Sequence, residues 1–244
     1  MPLVRSTDPS ARLLAAFAER GVNYDERTAP PHHVPGWHQD RRVVALGVER
    51  AGEPEPGGLL ETAARLVDSY EFSDPGILRA AYRAPADLLG RTMLLEGRFL
   101  FLRFLMGVRI TDRHDELGEG PHGPERRIGW SYQTLEGHIE QGRLTYEVAK
   151  ELDTGRVVFR IAAYSRRARI ANPVLRLGFG VFGRRTQLRF YRHALGRLRE
   201  LVADPPPLPE PGPDGIVRAP SGVRPGRFEA WTLRIADAGP LPGR

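Results

Sequence analysis

The chain has no cysteine and a single lysine, Lys150, among its 244 residues. The absence of thiols excludes disulfides, thiolate zinc sites and cysteine nucleophiles. It also fits a reducing compartment, and a cytoplasmic location is the expectation. The first ten residues carry no apolar core and no cleavage pattern, so no secretory signal is expected. A long uncharged apolar run is missing too. The most apolar stretch, 93–110, contains Glu96, Arg98, Arg103 and Arg109. Each such charge at a bilayer centre costs roughly 2.5–3.5 kcal/mol, so this stretch reads as a strand. There is neither a Walker-type phosphate loop nor a dinucleotide glycine fingerprint, and no cofactor is expected.

What remains is an ordinary globular composition, 41% hydrophobic and 27% charged, in a chain long enough to bury a sizeable core unaided. Residues 8–20 predict a short helix with Leu13, Leu14 and Phe17 on one face. Residues 22–58 are rich in proline, glycine and histidine and predict irregular structure with one strand over 42–48. A second helix is expected over 58–70. Ser73 and Asp74 before Pro75 signal a further short helix to about Arg83.

The period then changes. The run 93–111 predicts one long strand bent at Gly97 and Gly107. Over 127–134, Ile128, Trp130 and Tyr132 alternate with polar residues. Residues 143–152 and 156–165 predict a hairpin about Asp153, Thr154 and Gly155. Pro173 opens a last helix in which Val174, Leu177, Val181, Leu188, Tyr191, Leu195, Leu198 and Val202 make one apolar stripe, broken only at Arg184. Eight prolines fall in 204–226, and 228–235 alternates like an edge strand.

The organisation expected is therefore α+β, a curved antiparallel β-sheet against a long C-terminal helix, preceded by N-terminal helices. Residues 1–55 read as a partly irregular extension, 56–202 as the core domain and 203–244 as a proline-rich tail. Charge is uneven: eleven arginines and no acidic residue lie in 160–199. That stretch reads as a solvated basic face answered by carboxylates from elsewhere in the fold, or as a field suited to an anionic ligand, membrane surface or partner. Nucleic acid is not expected, because no reader module is present. The oligomeric state is not legible.

Three blocks carry a family resemblance: MLLEGRFLFLRFLMGVRI from Met93, GWSYQTLEGHIEQGRLTYEV from Gly129, and FRIAAYSRRARIANPVLRLGFGVFGRRTQLRFYRHAL from Phe159. Densely over 93–199 the chain resembles a domain-of-unknown-function family of bacterial and plant proteins. That family is similar in pattern to the helix-grip superfamily of lipid-transfer START domains, pollen allergens and aromatic polyketide cyclases. The resemblance implies a bent sheet gripping the last helix, with a hydrophobic ligand between them. It carries no activity with it.

Candidate chemistry follows from residue types. Trp130 and Tyr132 offer apolar walls with polar handles, or ordinary core. His138, between Glu136 and Glu140, could be an acid–base group tuned by carboxylates or a loop staple. Glu147 and Arg160 fall near cross-strand register, as an anchor in a pocket or as a surface ion pair. Tyr164 and Arg166 end the same strand near a pocket mouth, whereas Ser165 lacks a nucleophile elbow. Glu96, in an apolar strand, needs an arginine partner or becomes a pocket acid. Two groups have metal-like composition without ligand spacing: His32, His33, His38 and Asp40, and Asp112, His114, Asp115 and Glu116. No metal is expected.

These readings favour binding or processing of a hydrophobic or amphipathic small molecule between sheet and helix. The alternatives are a cofactor-independent cyclase-, dehydratase- or hydrolase-like enzyme using Glu96, His138 or Glu147, and a basic-face interaction.

Overall fold

A computed structural model describes residues 10–30, 35–84, 87–99, 102–168, 173–222 and 233–236, with 99, 102, 173–183 and 233–236 as backbone alone. Its elements are α1 (Ser10–Ala18), β1 (His38–Val48), α2 (Leu59–Asp68), β2 (Leu78–Arg83), β3 (Thr92–Phe99), β4 (Leu102–Gly120), β5 (Gly123–Thr134), β6 (Glu140–Glu151), β7 (Arg156–Arg167), α3 (Pro173–Leu201), β8 (Ile216–Ala219) and β9 (Leu233–Ala236). One sheet runs β1-β7-β6-β5-β4-β3-β2-β8, antiparallel throughout, and β9 adds in parallel to the start of β4. Register shifts between Ala45 and Gly47 and between Ile110 and Asp112 bend it. The α+β architecture expected from the sequence, a curved antiparallel sheet around the C-terminal helix, is present.

Alternation decides the faces. The inner face presents Tyr82, Met93, Leu95, Val108, Ile110, Trp130, Tyr132, Tyr146, Phe159 and Ile161 to α2 and to Phe190, Tyr191, Ala194 and Leu198 of α3. The outer face carries a smaller cluster in which Leu13, Leu14 and Phe17 of α1 cover Ala81, Leu94, Leu105 and Ile216. Phe17 lies so close over Gly107 that a Cβ there would fall 2.4 Å from the ring. Arg109 then caps α1 by donating to the Phe17 and Ala18 carbonyls at 3.2 and 2.7 Å.

Two expectations are corrected. The short helix to Arg83 is a single turn followed by strand β2. The Asp74 carboxylate accepts from the Gly76 amide at 2.7 Å, and pairing of Leu78–Arg83 between β3 and β8 overrides local propensity. The run 93–111 is two strands, folded back with Gly97 opposite Phe104 and Leu94 opposite Gly107. The predicted hairpin stands, with Glu147 opposite Arg160. The 42–48 strand is longer, and of the 228–235 strand only 233–235 falls within the described residues, as the start of β9. Strand β1, inside the 1–55 stretch, pairs with β7; β8, inside the tail, pairs with β2.

Lys150 is wholly buried, 2.8 Å from Glu49, and donates to the Glu53 carbonyl. The Glu49 carboxylate also accepts the Leu60 amide at the start of α2. Glu71, equally buried, accepts from both the amide and the hydroxyl of Ser221, fastening the tail beneath α3. Among the described residues, no helix is long and apolar enough to cross a membrane.

Candidate functional site

The break in the helical stripe marks a polar cluster inside the sheet. Arg184 projects from α3 toward β1, donating to both carboxylate oxygens of Asp40 at 2.5 and 2.7 Å. Asp40 is buried because its parity on β1 is that of Val44 and Leu46. One helical turn on, Gln187 accepts from Arg184 at 2.8 Å and donates to Ser165 at 3.1 Å, while its amide nitrogen stands 3.5 Å from Glu140. Glu140 begins β6 on the inner face. Burial, reinforced by Asp40 and opposed by Arg184, pushes its carboxyl up to about 7. It keeps part of its surface accessible.

Next along α3 stands Tyr191, wholly buried, whose hydroxyl has no hydrogen-bond partner among the described residues. Burial first, then Tyr132, Glu140 and Asp40, drive its ionisation far above the ordinary tyrosine range. Behind it the aromatic rings are continuous. Trp130 and Tyr146 centroids are 5.0 Å apart, Phe72 and Tyr146 4.5 Å, and Tyr70 and Tyr146 share a hydroxyl contact at 3.3 Å. At the far end the Trp130 indole approaches Asp68 without a well-formed hydrogen bond. Burial raises Asp68 to about 6 against Arg113, Arg91 and Trp130.

The residues singled out in the sequence divide between the faces. Trp130 and Tyr132 are inside. Glu147 and Arg160 do pair, at 3.0 Å, but on the outer face with His114 and Glu125. Tyr164 shares that face with Tyr24 and Trp37, and the Arg166 guanidinium lies 4.4 Å over the Trp37 ring. Glu96 is also outside, 3.1 Å from Arg103. His138 is buried in the β5–β6 loop, where its Nδ1 accepts the Glu140 amide at 2.9 Å and burial lowers it to about 4. Hence Glu96, Glu147, Arg160, Tyr164 and Arg166 do not meet Trp130 and Tyr132 in one place, and Ser165 serves Gln187.

The described acidic members of the metal-like groups are paired, as is His114. His32 and His33 lie outside the described residues. Asp40 holds Arg184, while Asp112, His114, Asp115 and Glu116 face Arg143, Glu147, Arg126 and Arg127 in turn. Among the described residues no cluster could hold a metal ion. The sequence reading names Asp40 with the histidines, Glu140 beside His138 and Tyr191 in the apolar stripe, but does not bring them together, and it passes over Gln187. Arg184 alone left a signal, as the charged break in the stripe.

No curated protein matches the chain. Solved structures are similar at low identity. Ara h 8.0201 is 8% identical, over 69% of this chain and 99% of its own, with a TM-score of 0.40. Ginseng major latex-like protein 151 from Panax ginseng is 7% identical, over 68% and 97%, at 0.41. The di-domain ARO/CYC BexL of the BE-7585A biosynthetic pathway is 15% identical, over 70% of this chain and 52% of its own, at 0.44. Likenesses this distant say nothing of what the chain does. The sequence itself is more decisive: residues 19–197 match the model described as Domain of unknown function (DUF1990), and the chain belongs to that family.

Proposed function

We propose that the chain binds a small hydrophobic or amphipathic molecule between the sheet and α3, oriented by the polar cluster about Tyr191. The unpartnered Tyr191 hydroxyl carries this reading. A buried donor left unmatched costs roughly 1–3 kcal/mol, and a ligand oxygen beside it would recover that loss. The ligand class is then an apolar, ring-sized body bearing a carbonyl, carboxylate or phenol oxygen. Aromatic walls suit the body and Tyr191, Gln187 and Arg184 suit the oxygen.

Glu140 favours a second reading, an enzyme on the same site. An acid titrating near neutrality can take a proton from a ligand carbon or oxygen and return it without a metal. Glu96 and Glu147, on the other face, are not part of this reading. His138 supports it by fixing the Glu140 amide.

Native mass spectrometry of the chain purified from its host should reveal a co-purifying small molecule, and Tyr191→Phe should lose it. Retention of that molecule by Tyr191→Phe, or an empty spectrum together with greater stability of the variant, would overturn the Tyr191 anchor. Turnover of the recovered molecule by the chain, abolished in Glu140→Gln with binding intact, would select the enzyme.

A further inference from the structure

The solvent face of α3 carries a straight row of arginines. Arg185, Arg189, Arg192 and Arg199 are all exposed. Their spacing of four, three and seven places them on one side of the helix, opposite the buried Tyr191, Ala194 and Leu198. The row is about 21 Å long at 1.5 Å per residue. None of the four has an ion pair among the described residues. Of the neighbouring acids, Asp74 holds His193 at 2.7 Å and Asp40 holds Arg184, while Glu200 has no ion pair among the described residues. The face is not a product of net charge alone, since elsewhere most arginines on the sheet are matched by carboxylates.

We infer that this row is a docking surface for an anionic phospholipid membrane. It is independent of the ligand reading above. Guanidinium groups bind phosphate oxygens bidentately, and an aligned row on a rigid helix reaches a flat surface with every head at once. Insertion is not part of the contact along the described stretch of the helix, where the apolar side, Phe190, Tyr191, Ala194 and Leu198, is already buried in the core. A nucleic acid fits less well. The described phenyl and phenol rings of α3, Phe190 and Tyr191, are buried on the opposite side, and His193 is held by Asp74.

Co-sedimentation of the full chain with vesicles tests this. Binding is expected to phosphatidylcholine vesicles containing roughly one-third phosphatidylserine, and not to phosphatidylcholine alone. It should weaken as salt shortens the screening length below about 8 Å. Arg189→Gln with Arg192→Gln should lower partitioning roughly 25-fold, about fivefold per arginine. Arg12→Gln with Arg41→Gln, two exposed arginines off the row, should leave it near the parent value. Three results would each overturn the proposal. They are no binding to the anionic vesicles at low salt, equal losses in the two double variants, and binding to duplex nucleic acid by a chain that leaves vesicles untouched.

Discussion

His114 on β4 and Glu147 on β6 meet at 3.1 Å across a strand that lies between them, and Gly129 on that strand is what lets them touch. A Cβ at Gly129 would stand 2.8 Å from the His114 ring nitrogen and 2.4 Å from the Tyr146 carbonyl. The second of these is backbone and has nowhere to go. Gly129→Ala is therefore expected to lower stability by roughly 1–3 kcal/mol in urea unfolding. An unchanged midpoint would show that the strands spread to admit a methyl group.

The same pair has a pH signature. The hydrogen bond that His114 donates to Glu147 raises its pKa against the opposing effect of burial. A base raised on folding stabilises fully below its unfolded value of 6.5 and loses that contribution as pH rises through the folded value. His114→Gln should thus destabilise more in mildly acidic solution than above neutrality. Equal losses at both ends would place the charge of His114 outside the energetics of the outer face.

Glu140 gives a slope through a different mechanism. Its folded value near 7 exceeds the ordinary 4.5, so the folded chain keeps a proton that the unfolded chain releases. Stability must fall as pH climbs through that window and level off above it. Asp68 adds in the same sense, but only up to about 6. Glu140→Gln should flatten the curve and stabilise the chain at alkaline pH. Parallel curves for parent and variant would mean that Glu140 is ionised throughout.

Lys150 answers a buried carboxylate. Burial raises Glu49, but Lys150 and the Leu60 and Glu55 amides outweigh it and hold the group below its ordinary value. Lys150→Met alone should cost about 3–5 kcal/mol, by stranding that charge. Adding Glu49→Gln, which keeps an oxygen for the Leu60 amide, should restore most of the loss. A double variant as weak as the single would show that Lys150 acts by shape.

At the other end of the sheet, Gly107→Ala should push Phe17 off β4 and free α1. Limited proteolysis within 10–20 reads this directly. Phe17→Ala should make the glycine change silent, because the two residues share one contact.

Much of the architecture was legible because it is periodic. Trp130 and Tyr132 announce an inner face by alternation, and Asp153 to Gly155 announces a hairpin whose register brings Glu147 to Arg160. Which face that pair occupies depends on where α1 and α3 settle, and no local pattern records it. Leu78–Arg83 was misread because the partners that make it a strand, β3 and β8, are distant in sequence. The polar cluster was illegible for the same reason. Asp40 and Arg184 are 144 residues apart, and each alone looks like surface. Only the break at Arg184 hinted that the helix had something to meet.

The tail that Glu71 ties down through Ser221 has a consequence for traffic. The last turns of α3 are held from below by Leu198 in the core and from the side by Arg197, which donates to the Glu71 carbonyl. Strand β8 then locks the following segment onto β2. The helix is thus latched at its C-terminal end, with His193 on Asp74, Gln187 on Ser165 and Arg184 on Asp40 as further polar fastenings along its described part. A guest of the kind proposed would meet a pinned segment at the tail end of α3 and, at the Arg184 end, the ion pair with Asp40.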